Sequence, residues 1–295
     1  MGQPRRLAFL AALLGVLLIV AHLLVGATVE PLPPHPFWSD GRPHVIAHRG
    51  GRGLWPENTL HAFRNAAALG VDVLEMDLRM TADGEIVVLH DDTVDRTTDG
   101  QGAVGALTIA GLRRLDAGYR WTGDGGRTFP YRGQGIGVPS LREVFAALPT
   151  MRMNLEIKGS GAAMSARLCT LIRQHAMQRR VVVAAVDQAA MDAFRAACPT
   201  VATAATRDEA IRFAWMSYAF LGSLFAPRAQ VFQVPEGVGG FELLTRRFAE
   251  DSRRLNVKLE VWTINDPSDM NRLLGLPVDG IMTDYPDRLL SLLAR

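Results

Sequence analysis

From about residue 41 to the carboxyl end, short apolar runs alternate with longer segments of helical spacing. The apolar runs lie at 44–48, 71–78, 153–157, 181–185, 201–205, 230–234, 258–263 and 279–283. The helical segments lie at 58–69, 140–148, 161–178, 187–197, 207–221, 241–255, 266–275 and 287–294. Eight strands alternating with eight helices in roughly 250 residues is the arithmetic of a (β/α)8 TIM barrel, an α/β fold. The first helix has both end signals: Asn58 or Thr59 as its cap and Gly70 as its stop. A doubly wound open sheet is the structural alternative. It calls for a glycine-rich dinucleotide loop after the first strand, and Gly50-Gly51-Arg52-Gly53 lacks the spacing.

One stretch breaks the alternation. Residues 85–90 form a strand too close to 71–78 for a helical crossover, and Thr81-Ala82-Asp83-Gly84 joins the two as a hairpin turn. Residues 92–138 then carry many Gly, Thr, Arg and Asp with little periodicity. They read as a small insertion after the second strand that caps one end of the barrel.

The amino-terminal region stands apart from this pattern. Residues 7–29 carry no charged side chain, a length that spans a bilayer as one helix. Arg5 and Arg6 precede the stretch and Glu30 follows it, so the amino end is expected to stay cytoplasmic and the body to be exported. A cleaved signal peptide is the rival, which would release a secreted body, but the apolar run exceeds a typical signal core. The expected organisation is a cytoplasmic 1–6, a transmembrane helix or signal anchor at 7–29, a Pro-rich linker at 30–40, and the barrel domain at 41–295. The net charge of +2 gives no sign of a nucleic-acid partner. Cys169 and Cys198 match no zinc pattern and are expected to be buried free thiols.

The chemistry is carried by charged residues at the strand ends. His48 ends the first run, Glu75 and Asp77 share one face of the second, and His90 closes the run 86–89. Two carboxylates on one face suit a hard divalent cation, and two histidines beside it suit a general acid and a general base. Glu156 and Lys158 share a face of the next strand. Charges on the inner face of a barrel strand are costly unless they pair or bind something. A metal, an acid and a base together imply hydrolysis or transfer at a highly charged centre such as phosphorus.

These residues stand in an ordered series: His48-Arg49-Gly50, Pro56-Glu57-Asn58-Thr59, Glu75-x-Asp77, Asp83-Gly84, His90-Asp91 and Thr97-Thr98-Asp99-Gly100. The series continues with Pro139-Ser140-Leu141, Glu156-Ile157-Lys158, Val261-Trp262-Thr263-Ile264-Asn265 and Asp279-Gly280-Ile281-Met282-Thr283-Asp284. It closely resembles the glycerophosphodiester phosphodiesterase family over about 44–290. The resemblance implies that Glu75, Asp77 and Glu156 hold one divalent cation, Ca2+ or Mg2+, and that His48 and His90 are the acid/base pair. It also implies that Arg49 and Lys158 bind phosphate oxygens and that Trp262 lines the pocket. Where many members have Ser-Phe after the fourth strand, this chain has Ala185-Val186, so an altered substrate fit is expected.

Other residues receive structural readings. His61 belongs to the first helix, and His44 is expected on the surface. Glu57 is expected to brace the first loop, with substrate contact as the alternative, and Asp91 to bond His90 or a metal-bound water, or to make a local turn. Asp279, Thr283 and Asp284 are expected to shape the end of the last strand rather than to take part in chemistry. The apolar stretch 213–221 reads as a buried barrel helix, with an apolar lip for an acyl chain or a bilayer as the alternative.

The expected function is therefore metal-dependent hydrolysis of glycerophosphodiesters to sn-glycerol 3-phosphate and an alcohol. The expected partners are that small-molecule substrate and, through the amino-terminal helix, the membrane, with the catalytic body on the extracytoplasmic side. A lysophospholipase D-like activity on membrane lysophospholipids is one alternative. A catalytically silent barrel acting as a binding module is the rival from another class, and the intact His48, Glu75, Asp77, His90 and Glu156 set weighs against it.

Overall fold

The computed structural model describes Leu13 and residues 29–159 and 162–294. Its strands are β1 (His44–Ala47), β2 (Val73–Met80), β3 (Ile86–Val88), β4 (Arg152–Ile157), β5 (Val181–Ala185), β6 (Ala202–Thr203), β7 (Val231–Val234), β8 (Gly237–Val238), β9 (Phe241–Glu242), β10 (Lys258–Val261) and β11 (Gly280–Thr283). Its α-helices are α1 (Leu60–Leu69), α2 (Ile109–Leu112), α3 (Leu141–Ala147), α4 (Ala162–Gln174), α5 (Gln188–Ala197), α6 (Arg207–Tyr218), α7 (Arg246–Arg254), α8 (Pro267–Leu274) and α9 (Pro286–Leu292).

Eight parallel strands run in the order β6-β5-β4-β2-β1-β11-β10-β7. A parallel bridge between Ala204 and Val231 spans the remaining seam, and the sheet closes into the expected barrel. Alternation along each strand sorts the side chains. Leu74, Met76 and Leu78 of β2 join Met153, Leu155 and Ile157 of β4 in the outer core against the helices. The residues between them, Val73, Glu75 and Asp77 on β2 and Asn154 and Glu156 on β4, therefore point into the barrel. Pairing registers Glu75 with Asn154 and Asp77 with Glu156, so two carboxylates face one another across neighbouring strands at the carboxyl end.

The opposite end is plugged. A short 3-10 turn, Pro36–Trp38, buries Phe37 and Trp38 among Ile46, Val73, Val182, Val231 and Met282. The Trp38 indole donates to Glu260 Oε1 at 2.9 Å, and Gln233 donates to Glu260 Oε2 at 2.8 Å. His44, expected on the surface, is instead buried in β1 and bonded to Asp40 at 2.9 Å, because the plug covers that end of the strand. The linker docks nearby: Leu32 N–H donates to Leu255 O at 2.9 Å, and the Asn256 amide donates to Leu32 O at 2.7 Å. The chain thus enters the domain at the amino-terminal ends of the strands.

The helix starts are written in the sequence. Thr59 caps α1 by accepting from Ala62 N–H, while Asn58 serves elsewhere. Ser140 with Glu143 and Thr206 with Glu209 form reciprocal capping boxes on α3 and α6. Residues 241–255 do not form one helix: β8 and β9 make a small hairpin, and α7 begins only after Thr245, whose side chain caps it. The stretch 213–221 is divided by helical geometry, with Phe213 buried and Trp215 and Phe220 on the surface.

The hairpin of β2 with β3 and the insertion after it are present as expected. The insertion has a core of its own, built from Val94, Val104, Leu112, Ala117 and Val138 against Val87 and Leu89. The cysteines correct the expectation of free thiols. Cys169 on α4 and Cys198 at the end of α5 form a disulfide, because the two helices pack side by side and bring the Cα atoms to 5.5 Å. Among the described residues no helix is long and apolar enough to cross a membrane. The stretch 7–29 expected to do so lies, except for Leu13 and Val29, outside the described residues.

Candidate active site

Glu75, Asp77 and Glu156 each bring a carboxylate oxygen to within 4.8 Å of the other two. Glu75 and Asp77 are buried, at 2% and 1% exposure. Burial, then the charges of Asp77 and Glu156, push the Glu75 carboxyl well above the usual range. Lys158 Nζ answers part of this charge, at 2.6 Å from Glu156 Oε1 and 3.3 Å from Asp77 Oδ1. Burial would lower the Lys158 pKa, but Glu156 and Asp77 hold it raised. Three carboxyl groups stand here against Lys158 and Arg49, and all three offer hard oxygen donors. That donor set fits a divalent cation of the calcium or magnesium kind.

Two residues in left-handed backbone conformation serve this centre. Arg49 (φ 52°) donates its backbone N–H to Glu75 Oε2 at 2.7 Å. Asn58 (φ 57°) donates its side-chain amide to Asp77 Oδ2 at 2.8 Å. Such conformations are uncommon outside glycine and persist where surrounding bonds fix them. The Arg49 side chain, expected to meet phosphate, lies 3.3 Å from Asp77 and donates to Glu57 at 2.8 Å.

His48 follows β1 directly. Its Nδ1 lies 2.6 Å from Asp284 Oδ1, and its Nε2 lies 4.0 Å from Glu75 Oε2. Asp284, just past β11, is fixed in turn: Asn265 donates to its Oδ2 at 2.9 Å, and Arg52 Nε donates to its Oδ1 at 2.9 Å. Burial would raise the Asp284 pKa, but His48, Asn265 and Arg52 together outweigh it and the carboxyl lies below its ordinary value. An Nδ1–H held by a carboxylate leaves Nε2 facing the cluster as the proton-carrying atom.

His90 repeats the arrangement with a local partner, its Nδ1 standing 2.7 Å from Asp91 Oδ1. Its imidazole reaches the cluster through a relay of ion pairs. Arg96 grips Asp91 at 2.6 Å and Glu57 at 2.7 Å, and Glu57 accepts from Arg49. Burial would raise Glu57, yet Arg96 and Arg49 hold it at about 2. The Arg96 bond likewise brings Asp91 to about 2. Trp262 stands at the carboxyl end of β10, 41% exposed.

The structure therefore brings together His48, Glu75, Asp77, Glu156, Arg49 and Lys158, and links His90 by ion pairs. Sequence reading missed three contributors. Asp284, expected only to shape the strand end, holds His48; an acid straight after the last apolar run is the available signal. Asn58, a candidate helix cap in the sequence, holds Asp77. Arg96 lies inside an aperiodic insertion, where nothing local marks it. Glu57 and Asp91 occupy the bracing roles expected of them.

Comparison with known proteins agrees with this geometry. A glycerophosphodiester phosphodiesterase of Caldanaerobacter subterraneus is 32% identical over 257 residues, covering 85% of this chain and 98% of its own length. A glycerophosphodiester phosphodiesterase of Bacillus subtilis is 28% identical over 256 residues, covering 82% and 84%. An Oleispira antarctica phosphodiesterase, solved with the product sn-glycerol-3-phosphate, has 27% identity and a TM-score of 0.72, covering 88% of this chain and 99% of its own. The sequence pattern of one family matches residues 48–288, which takes in every barrel strand after β1, both histidines and all three carboxylates. The chain belongs to the glycerophosphoryl diester phosphodiesterase family.

Proposed function

We propose that this chain hydrolyses glycerophosphodiesters to sn-glycerol 3-phosphate and an alcohol, with Glu75, Asp77 and Glu156 holding one divalent cation. The observation that carries the reading is His48, held by Asp284 on one side and facing the carboxylate cluster 4.0 Å away on the other. The bound cation would supply charge neutralisation at the phosphoryl oxygens. The remaining work falls to the chain. Lys158 and the free end of the Arg49 guanidinium stabilise the negative charge that gathers on those oxygens. His48 and His90 divide the proton transfers: one takes a proton from the attacking oxygen, the other gives one to the leaving alcohol. The bond from phosphorus to the head-group oxygen breaks as the bond to the attacking oxygen forms.

The test is a panel of glycerophosphodiesters and lysophospholipids assayed with calcium, magnesium and chelator. Hydrolysis of glycerophosphocholine or glycerophosphoethanolamine that chelator abolishes and added cation restores is the expected result. Absence of any metal-dependent diesterase activity would return the chain to the silent-barrel reading.

We further infer that residues 7–29 anchor the chain and hold the barrel on the extracytoplasmic side. The support is Arg5 and Arg6 before the apolar run, together with a Cys169–Cys198 disulfide of the sort that persists in oxidising compartments. Because the linker docks beside Leu255, at the end of the barrel opposite the carboxylates, the anchor would turn the catalytic end away from the bilayer. This favours soluble glycerophosphodiesters over membrane lysophospholipids. Protease added to spheroplasts should digest the barrel; full protection would overturn the placement.

A further inference from the structure

A cavity of about 490 Å³ lies between the loop after β1 and the insertion, lined among others by Arg52, Arg120, Trp121 and Tyr285. It adjoins the catalytic groups from two directions. Asp284, the partner of His48, is in its wall, and it shares Glu57, Thr97 and Ala117 with a small void that reaches His90.

The charges in its wall are unequally engaged. Glu57 accepts from Arg49 and Arg96, and Asp284 accepts from His48, Arg52 and Asn265. Both carboxylates are thus satisfied. Arg120 gives its Nε to the Thr98 carbonyl at 3.2 Å and, among the described residues, has no carboxylate partner. Arg52 gives only its Nε to Asp284. Among the described residues, the terminal nitrogens of these two guanidinium groups are left as donors at a cavity whose wall includes Asp284, the partner of His48. The wall is held together by the cap itself, since the Trp121 indole donates to the Arg52 carbonyl at 2.9 Å. A leaving alcohol receives its proton from a histidine, so the part of the substrate beyond that oxygen must lie next to the pair. The wall of this cavity holds Asp284, which grips His48, and Arg96, which grips the Asp91 bonded to His90.

We propose that this cavity receives the head group of the substrate, and that Arg120, with Arg52 beside it, selects head groups bearing a carboxylate or other anion. The inference rests on the phosphodiesterase reading of the site. A guanidinium with two free N–H groups matches a carboxylate edge to edge, which a cationic amine alone does not offer.

Glycerophosphoserine and glycerophosphoethanolamine differ only by the serine carboxylate, and their kcat/KM ratio isolates its effect. The full-length protein should prefer the serine diester by about tenfold, the effect of one charge-assisted contact in a partly exposed site. Arg120→Ala should bring the ratio close to one, Arg120→Lys should restore part of it, and Arg120→Glu should invert it. The ratio is taken on one preparation, so a loss of folded protein does not alter it. A wild-type ratio near one, or a ratio that Arg120→Ala and Arg120→Glu leave unchanged, would overturn the proposal. Failure of the wild type to cleave either diester with calcium or magnesium would instead remove the phosphodiesterase reading beneath it.

Discussion

His48 Nδ1 and Asp284 Oδ1 stand 2.6 Å apart, although 236 residues separate them in the chain. The contact forms because β1 and β11 are neighbours in the closed barrel, with Ala47 paired to Thr283. It fixes which histidine nitrogen faces the carboxylates. Asp284→Asn should therefore lower kcat/KM by about 10²-fold or more, within the range for disabled general acid–base catalysis. The loss should fall on kcat more than on KM. Near-normal turnover in this variant would remove Asp284 from the mechanism.

The three crowded carboxylates should betray themselves without any activity measurement. In chelator, Glu75→Gln should melt higher than wild type, because a buried carboxyl whose ionisation is opposed by burial and by Asp77 and Glu156 is replaced by a neutral amide. Calcium or magnesium should raise the wild-type melting temperature and leave that of the variant nearly unmoved. Equal metal-induced shifts in the two proteins would argue for a different ligand set.

Arg96 holds Glu57 and Asp91 at once. The folded Glu57 pKa, about 2 against an ordinary 4.5, means that its contribution is full above pH 4.5 and is lost as pH falls through 2. That shift corresponds to about 3 kcal/mol. Arg96→Ala should move acid unfolding to higher pH, with little change in stability change per pH unit above 6. It should also reduce activity by loosening His90 and Arg49 together. An acid-unfolding midpoint equal to wild type would contradict the relay.

The Cys169–Cys198 bond closes a loop across a separation of 29 residues. On chain-entropy grounds it should stabilise the fold by about 3–4 kcal/mol. Urea unfolding with and without reductant, and of Cys169→Ser, measures this. Identical midpoints in all three would mean that the bridge does not form in solution.

Glu260 is buried in the lower barrel, and burial raises its pKa above the ordinary 4.5. The folded state then holds its proton more tightly than the unfolded chain does. Stability from this group is present below the unfolded pKa and falls as pH rises towards the folded one. Glu260→Gln should stabilise the protein at pH 8 more than at pH 5, as read by paired thermal melts. Gln233 can turn its amide oxygen to meet the new donor. A difference that shrinks with rising pH would reverse the sign argued here.

Some of this protein was legible one segment at a time. Strand and helix alternation is a local property, written in apolar spacing, capping residues such as Thr59 and Ser140, and stops such as Gly70. The placement of Glu75 and Asp77 on one face follows from strand alternation alone. The apolar stretch 213–221 was only half legible, because helical geometry turns Phe213 inward and Trp215 outward. Spacing in the sequence does not say where a helix meets its neighbours.

By itself, the sequence determined the parallel barrel, the capping insertion and the shared face of Glu75 and Asp77, since each depends on local periodicity and residue chemistry. The tertiary structure alone decided which groups meet. Closure of the sheet joined Asp284 to His48, folding of the insertion over the first loop placed Arg96 between Asp91 and Glu57, and packing of α4 on α5 paired the cysteines. Each of these contacts depends on distances between segments far apart in the chain, which packing fixes and local preference does not.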